Sequence, residues 1–433
     1  MPHRLRQTRA VLAKPDRERQ PGAALMRQTD NAKATDLQQA GEGLGSSCMA
    51  VANVDTVVRH QFEPTIDQAQ RQIRFPGTRR PHQQHARTIA GDAASVNLHG
   101  SQDGPSHLAR QGGSCQRPAM TPSHDDILAA HRRIGAHVRR TPVLKLARGD
   151  LGIPHDITLK LELLQHAGSF KPRGAFNRIL SAQEAGELPP AGVIAASGGN
   201  HGAAVAYAAR ALGLRAEIFV PELTPATKRA RIESFGAALT RTGATYFEAL
   251  AASRARAAET GAMEVHAYDH PAVLAGQGTT ALEFEADAPG LTHILVATGG
   301  GGLIGGMAAW LAGRVRVVSV EPHACPALHD ALAAGKPVDA PVGGLAADAL
   351  GARQVGGLMF PIAQAYVSEA VLVEDDAIRA AQRTLWDGMR LIAEPGGATA
   401  LAALTSGAWT PPPGSRVGVL ICGSNADPAT ILG

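Results

Sequence analysis

The 433-residue chain is short of three things, and each shortage removes a class of protein. Aromatic residues make up only 4% of it, so the core has to come from aliphatic side chains and close backbone approach, which 48 glycines and abundant alanine favour. Cysteines number four, Cys48, Cys115, Cys325 and Cys422, too few and too scattered for a disulfide framework or a zinc motif, and this fits a reducing cytoplasm. Long apolar runs free of glycine are missing. His293 to Gly313 carries no Lys, Arg, Asp or Glu, yet Gly299 to Gly302 and Gly305-Gly306 interrupt it, so it reads as a buried strand, loop and helix and not as a membrane span. The opening residues likewise lack the apolar stretch of a secretory signal.

Nor does one sign of charge dominate. The formal charge is +4, from 42 Lys and Arg against 38 Asp and Glu. Of these, 16 basic and 10 acidic residues fall within 1–119, which leaves 26 and 28 for the other 314. The body of the protein is slightly acidic, and a nucleic-acid partner loses its main electrostatic support.

Two regions differ in texture. Residues 1–119 are rich in Gln, Arg, His and Pro with no sustained period, as in Arg79-Arg80-Pro81-His82-Gln83-Gln84-His85, and are expected to be disordered because they cannot bury enough apolar surface. Arg4, Arg6 and Arg9 also suit a transit peptide, against which Asp16 and Glu18 argue; the reading preferred here is an extension upstream of a true start at Met120. From Met120 onward, Ser123 and Asp126 predict a helix cap, with Ile127, Leu128, Ile134 and Val138 at helical spacing. Strands then alternate with helices: Val193 to Ala196 before a helix from His201, Glu217 to Val220 before a helix near Thr224-Pro225, Ile294 to Ala297 and Val315 to Val320 around a third, and Val417 to Ile421 late. That order predicts an α/β fold with parallel sheets covered by helices.

The run from Ile294 to Glu321 invites two readings. Gly300, Gly302 and Gly305 satisfy G-x-G-x-x-G between a strand and a helix, and Glu321 stands where a dinucleotide site keeps its ribose acid. The physics shared with other phosphate sites is simpler: glycines turn backbone N–H groups toward an anion at a helix N-terminus. The run therefore points to a phosphate without saying whose.

Gly168-Ser169-Phe170-Lys171-Pro172-Arg173-Gly174-Ala175 decides between them. It resembles the cofactor-lysine motif of the fold-type II pyridoxal-phosphate enzymes, in the threonine/serine dehydratase and serine racemase branch. Ser197-Gly198-Gly199-Asn200-His201-Gly202, the run Gly299, Gly300, Gly301, Gly302 with Leu303, and Cys422-Gly423-Ser424-Asn425 resemble further segments of that family, in its order. The resemblance extends from Met120 to Gly433. It implies a tryptophan synthase beta-like fold: two parallel-sheet α/β domains with pyridoxal 5'-phosphate between them, the larger about 120–190 and 271–433, the smaller about 191–270.

Carried over by position, the resemblance makes Lys171 the catalytic residue and the Schiff-base lysine, and sets Phe170 against the cofactor ring. It gives Asn200 to the cofactor's phenolic oxygen, Gly299 to Gly302 and Leu303 to its phosphate, and Cys422 to its pyridine nitrogen. Ser197, Gly198, Gly199, Asn200 and His201 become the substrate loop. Gln277 to Glu283 and Glu394 to Ala398 also resemble family segments and are read as scaffolding. The activity implied is α,β-elimination of water from L-threonine or L-serine, giving a 2-oxo acid and ammonia. Racemisation is disfavoured because Gly198 replaces the second proton donor, and a cation site is doubtful because Ala327 follows Glu321; no metal ligand is assigned. Tyr268 in the His266 to Pro271 stretch is nearer the dehydratase form. No regulatory domain is expected after Cys422, and the resemblance suggests a homodimer or homotetramer without a membrane partner. The alternatives are dehydration of another 3-hydroxy amino acid such as 3-hydroxyaspartate, or a racemase-type enzyme; a nicotinamide oxidoreductase is the distant one.

Overall fold

The computed structural model describes residues 121–432, and the expectations for 1–119 lie outside the described residues. Ten short strands form two sheets. The larger is ordered β1 (Val143–Leu146), β2 (Ile157–Lys160), β10 (Val417–Leu420), β7 (His293–Ala297), β8 (Arg316–Pro322), β9 (Val367–Val373). The smaller is ordered β5 (Ala238–Arg241), β4 (Ala216–Val220), β3 (Val193–Ala196), β6 (Met263–Glu264). Every pairing is parallel except that of β1 with β2, an antiparallel edge that the sequence pattern does not reveal. β3, β7 and β10 are buried at every position, as parallel strands covered on both faces have to be.

Each sheet reverses its winding once. In the smaller, the chain runs β3, β4, β5 outward and returns to place β6 on the other side of β3. In the larger, it runs β7, β8, β9 outward and returns to place β10 beside β7. Open α/β sheets bind ligands in the crevice beyond the carboxyl ends of the strands at such reversals. The loops that leave those ends are 197–199, 265–270, 298–301 and 421–425; they carry Ser197 to Gly199, Gly299 to Gly301 and Cys422, and the helices that follow open with Asn200-His201 and Gly302-Leu303.

The first helix, His124–Ile134, has the predicted cap: Ser123 and Asp126 bond reciprocally to each other's backbone N–H. It buries Ile127, Ala130 and Ile134, but Leu128 is exposed and Val138 lies past its end, so the expected four-residue stripe is shorter than read. Three other helices meet backbone to backbone. A Cβ on Gly276 of Pro271–Asp287 would stand 2.5 Å from the Arg173 carbonyl of Lys171–Glu184. One on Gly278 would stand 2.8 Å from the Gly306 carbonyl of Gly302–Leu311, and one on Gly306 would overlap the Leu274 carbonyl.

Beneath the first turn of Lys171–Glu184 lies a fully buried ionic cluster. Arg173 donates to Glu162 at 2.9 and 2.7 Å and to Glu283 at 2.9 and 2.7 Å. Lys160 adds bonds to Glu283 and to the Thr141 carbonyl. The two carboxylates raise the Arg173 guanidinium well above its ordinary value although burial opposes them. Buried charges persist only where paired in this way, and the cluster fixes where the helix carrying Lys171 begins.

Candidate active site

Lys171 opens its helix, and Pro172 follows at a first-turn position where a missing N–H leaves no bond unmade. The strand-like approach to it is tied down by the Ser169–Gly423 bridge and by the Phe170 N–H to the Cys422 carbonyl at 3.1 Å. Lys171 Nζ donates to the Ala267 carbonyl at 2.9 Å and lies 5.2 Å from the Phe170 ring centre. Burial lowers this amine to about 8, with Cys422 and Glu394 opposing. A neutral amine, the form that acts as nucleophile and base, is thus accessible near neutrality.

One cavity joins Lys171 and Phe170 to Asn200, Tyr268, the run Gly299 to Gly302, Leu303, Glu394 and Cys422. The glycine run leaves no room for side chains. A Cβ on Gly299 would stand 2.8 Å from the Leu350 carbonyl, and on Gly300 2.5 Å from the Tyr268 ring. Gly301 holds φ at 86°, a left-handed value that favours glycine, and precedes the helix without any side-chain cap. Uncapped first-turn N–H groups with a cradle of backbone around them make an anion site. A second uncapped start is Gly199 before the helix Asn200–Ala211.

Cys422 is 3% exposed, and its Sγ lies 3.4 Å from the Gly396 carbonyl. Burial, with Glu394 nearby, raises its thiol well above the usual range, so it stays neutral. Asn200 Nδ2 donates to Glu394 at 2.5 Å, and Asn425 Nδ2 donates to Asn200 Oδ1 at 2.6 Å. Glu394 is 6% exposed, and burial raises it to about 7 against the pull of its Asn200 bond and of Lys228, Lys171 and Arg231. Sequence reasoning gave Glu394 to the scaffold and passed over Asn425. The Glu394 to Ala398 segment was visible in the sequence, but nothing in it says that its carboxyl reaches Asn200 from 194 residues away.

Ser197 and His201 line neither this cavity nor the wider one beside it. Ser197 Oγ accepts from the Gly199 N–H at 3.2 Å and shapes the loop. The His201 ring turns inward, Nε2 lying 2.7 Å from the Val265 carbonyl, and burial lowers it to about 3, so it is a neutral donor with no free face. Gly198 has Thr224 packed where a Cβ would be, at 2.8 Å. Glu321 corrects the dinucleotide reading: it is fully buried and both oxygens accept backbone N–H bonds, from Leu328 at 2.7 Å and His329 at 2.8 Å. Its carboxyl braces a helix start from inside the core and, being fully buried, is out of reach of a ribose hydroxyl.

A desolvated lysine, a glycine cradle on a helix N-terminus and a neutral thiol at the reversals of two parallel sheets define a pyridoxal-phosphate site, and the lining fits that group: aldehyde to amine, phosphate to the cradle. The family model for pyridoxal-phosphate dependent enzymes matches residues 134–423, and the chain belongs to that family. It is 40% identical over 310 residues to the L-threonine ammonia-lyase of Geobacter sulfurreducens, covering 70% of this chain and 76% of that one. Against the biosynthetic L-threonine dehydratase of Haemophilus influenzae, identity is 36% over 290 residues, 65% of this chain but only 56% of the relative. The chain thus spans little more than half of that longer protein. Among solved structures, maize serine racemase superposes with a TM-score of 0.67 at 31% identity, over 72% of this chain and 96% of that one. The fold is the tryptophan synthase beta-like α/β fold of type II, as the sequence motifs imply.

Among the described residues no helix is long and apolar enough to cross a membrane.

Proposed function

We propose that the protein is an ammonia-lyase that removes water from a β-hydroxy amino acid, L-threonine or L-serine, and yields a 2-oxo acid and ammonia. The carrying observation is the pairing of a Lys171 amine lowered to about 8 with a neutral Cys422 thiol in one cavity. When bound, pyridoxal phosphate supplies the electron sink. A thiol in place of a carboxylate does not enforce protonation of the ring nitrogen, which limits delocalisation and favours prompt loss of a β-substituent.

The chain's own residues do the rest. Lys171 holds the cofactor, and its Nζ accepts the Cα proton. The uncapped N–H groups of Asn200–Ala211 receive the substrate carboxylate. Asn200, braced by Glu394 and Asn425, is set to hydrogen-bond the phenolic oxygen, and Gly299 to Gly302 with Leu303 hold the phosphate. Phe170 and Tyr268 keep water from the reacting atoms. A racemase reading is weaker, because Gly198 offers no second proton donor and Thr224 packs where its side chain would be.

The two sheets mark two domains in this proposal, at about 120–190 with 271–433 and at about 191–270. A homodimer or homotetramer is proposed on the family resemblance, and a cytoplasmic site on the free buried thiols Cys325 and Cys422. The test is direct. The purified protein should be yellow and release 2-oxobutyrate or pyruvate from L-threonine or L-serine, and Lys171→Ala should lose both properties. Undiminished turnover in Lys171→Ala would sink the proposal.

A further inference from the structure

Glycine has more backbone freedom than any other residue, so a run of four does not hold one shape by itself. The phosphate cradle has to be braced from outside, and two segments brace it. One is the stretch 350–359, which joins the helix Ala347–Leu350 to the helix Phe360–Tyr366. Besides the Leu350 carbonyl against Gly299, its Gly356 N–H donates to the Gly300 carbonyl at 3.0 Å. Its Met359 side chain packs at Gly301, with Sδ 2.6 Å from where a Cβ would be. The other brace is the loop 265–270 that leaves β6. It lays the Tyr268 ring on Gly300 and the Tyr268 backbone on Gly302, whose Cβ would stand 2.9 Å from the Tyr268 Cα.

Asp269 joins the two braces. Its Oδ2 accepts the Gly357 N–H at 3.1 Å and its Oδ1 the Leu358 N–H at 3.0 Å. A Cβ on Gly356 would overlap the same carboxylate, so the turn fits closely around it. Bonds from backbone N–H groups to a carboxylate are among the stronger kind. A second tie to the stretch, from Lys228 to Asp348, is a partly exposed ion pair that salt screens. The lysine side of the loop has its own support. The Ala267–Tyr268 peptide, whose carbonyl accepts from Lys171, gives its N–H to His266 Nδ1 at 3.3 Å, and the Asp269 N–H joins it there at 2.9 Å. Asp269 itself does not line the cavity, so it acts on a bound phosphate only through the residues that do.

Resting on the reading of Gly299 to Gly302 as the phosphate site, we infer that Asp269 is a positioning residue for the cofactor phosphate. It locks the stretch 350–359 and the loop 265–270 together around the glycine run and keeps the donor N–H groups aimed at one point. A cradle whose donors stand about 1 Å out of place loses most of its grip.

The measurement is the dissociation constant of the apoenzyme for pyridoxal 5'-phosphate and for pyridoxal, which has the same aldehyde and ring without the phosphate. Both are read by the absorption band of the lysine linkage. In Asp269→Ala the constant for pyridoxal phosphate should rise about tenfold or more, while that for pyridoxal stays within about twofold. Asp269→Asn keeps one oxygen as acceptor and should fall between, and it carries the test if the alanine variant does not fold. A general loss of structure would weaken both ligands alike, so a parallel rise overturns the inference, as does no rise in either variant. If the wild type binds the two ligands equally well, the cradle reading fails and this inference fails with it. No turnover is needed for these constants, so they stand apart from which amino acid the enzyme takes.

Discussion

Lys171 and Glu394 share a cavity, and burial moves them in opposite directions, the amine down to about 8 and the carboxyl up to about 7. For the amine, the reactive form is the unprotonated one, and its fraction rises with pH until about 8. Loading of the apoenzyme with pyridoxal phosphate, followed by its absorption band, should therefore quicken about tenfold per unit below that value and level off above it. Glu394 braces Asn200 and reacts with nothing itself, which makes it a positioning residue. Glu394→Gln keeps an acceptor for Asn200 but cannot titrate, so a limb near pH 7 in the kcat/KM profile should vanish while Glu394→Ala loses activity at every pH. Lys171, Asn200, the glycine run and Cys422 were legible because each sits in a short stretch of distinctive residues. Glu394 and Asn425 were not, because their role is a distance across the fold and no local pattern encodes it. His201 misled for a related reason: its neighbours belong to the substrate loop, but its own ring faces Val265.

At the scale of elements, the helix that starts at Lys171 is placed by charge, not by a cap, since Phe170 offers none. Arg173 lies one turn in and is bound to two carboxylates that are themselves buried. Removing it leaves Glu162 and Glu283 without their main partner, a loss of about 3–5 kcal/mol by comparison with other broken buried pairs. Urea unfolding of Arg173→Met should show that loss as a lower midpoint with an unchanged slope. The strands that were legible, β3, β4, β7, β8 and β10, are runs of buried Val, Ile, Leu, Ala and Phe. Those missed are β1, β5 and β9, which carry exposed or polar residues at edges where the apolar signal is weak, β6, only two residues long, and β2, an inner strand whose Thr158 and Lys160 break its short apolar run. The antiparallel β1 could not be inferred at all, since direction depends on which neighbour a strand finds.

For the whole molecule, two sheets bring their reversals to one cavity lined by loops from both, so a cofactor held there would bridge them. A ligand that binds only the folded state adds to its stability by mass action. The yellow holoenzyme should melt several degrees above the apoenzyme in one transition, read by circular dichroism, and reduction of the cofactor linkage should preserve the gain through dialysis. Two transitions with only one of them shifted would show that a single sheet carries the cofactor.

The three helices that meet at Gly276, Gly278 and Gly306 add a constraint of another kind. They join the segment bearing Lys171 to the segment bearing the phosphate cradle through main-chain atoms, with no side chain between to yield or repack. Sequence drift can therefore exchange much of the cavity wall, and with it the preferred amino acid, but it has almost no freedom along this seam. In a library of random variants these three glycines should tolerate replacement as poorly as Lys171 does, although none of them touches a reacting atom.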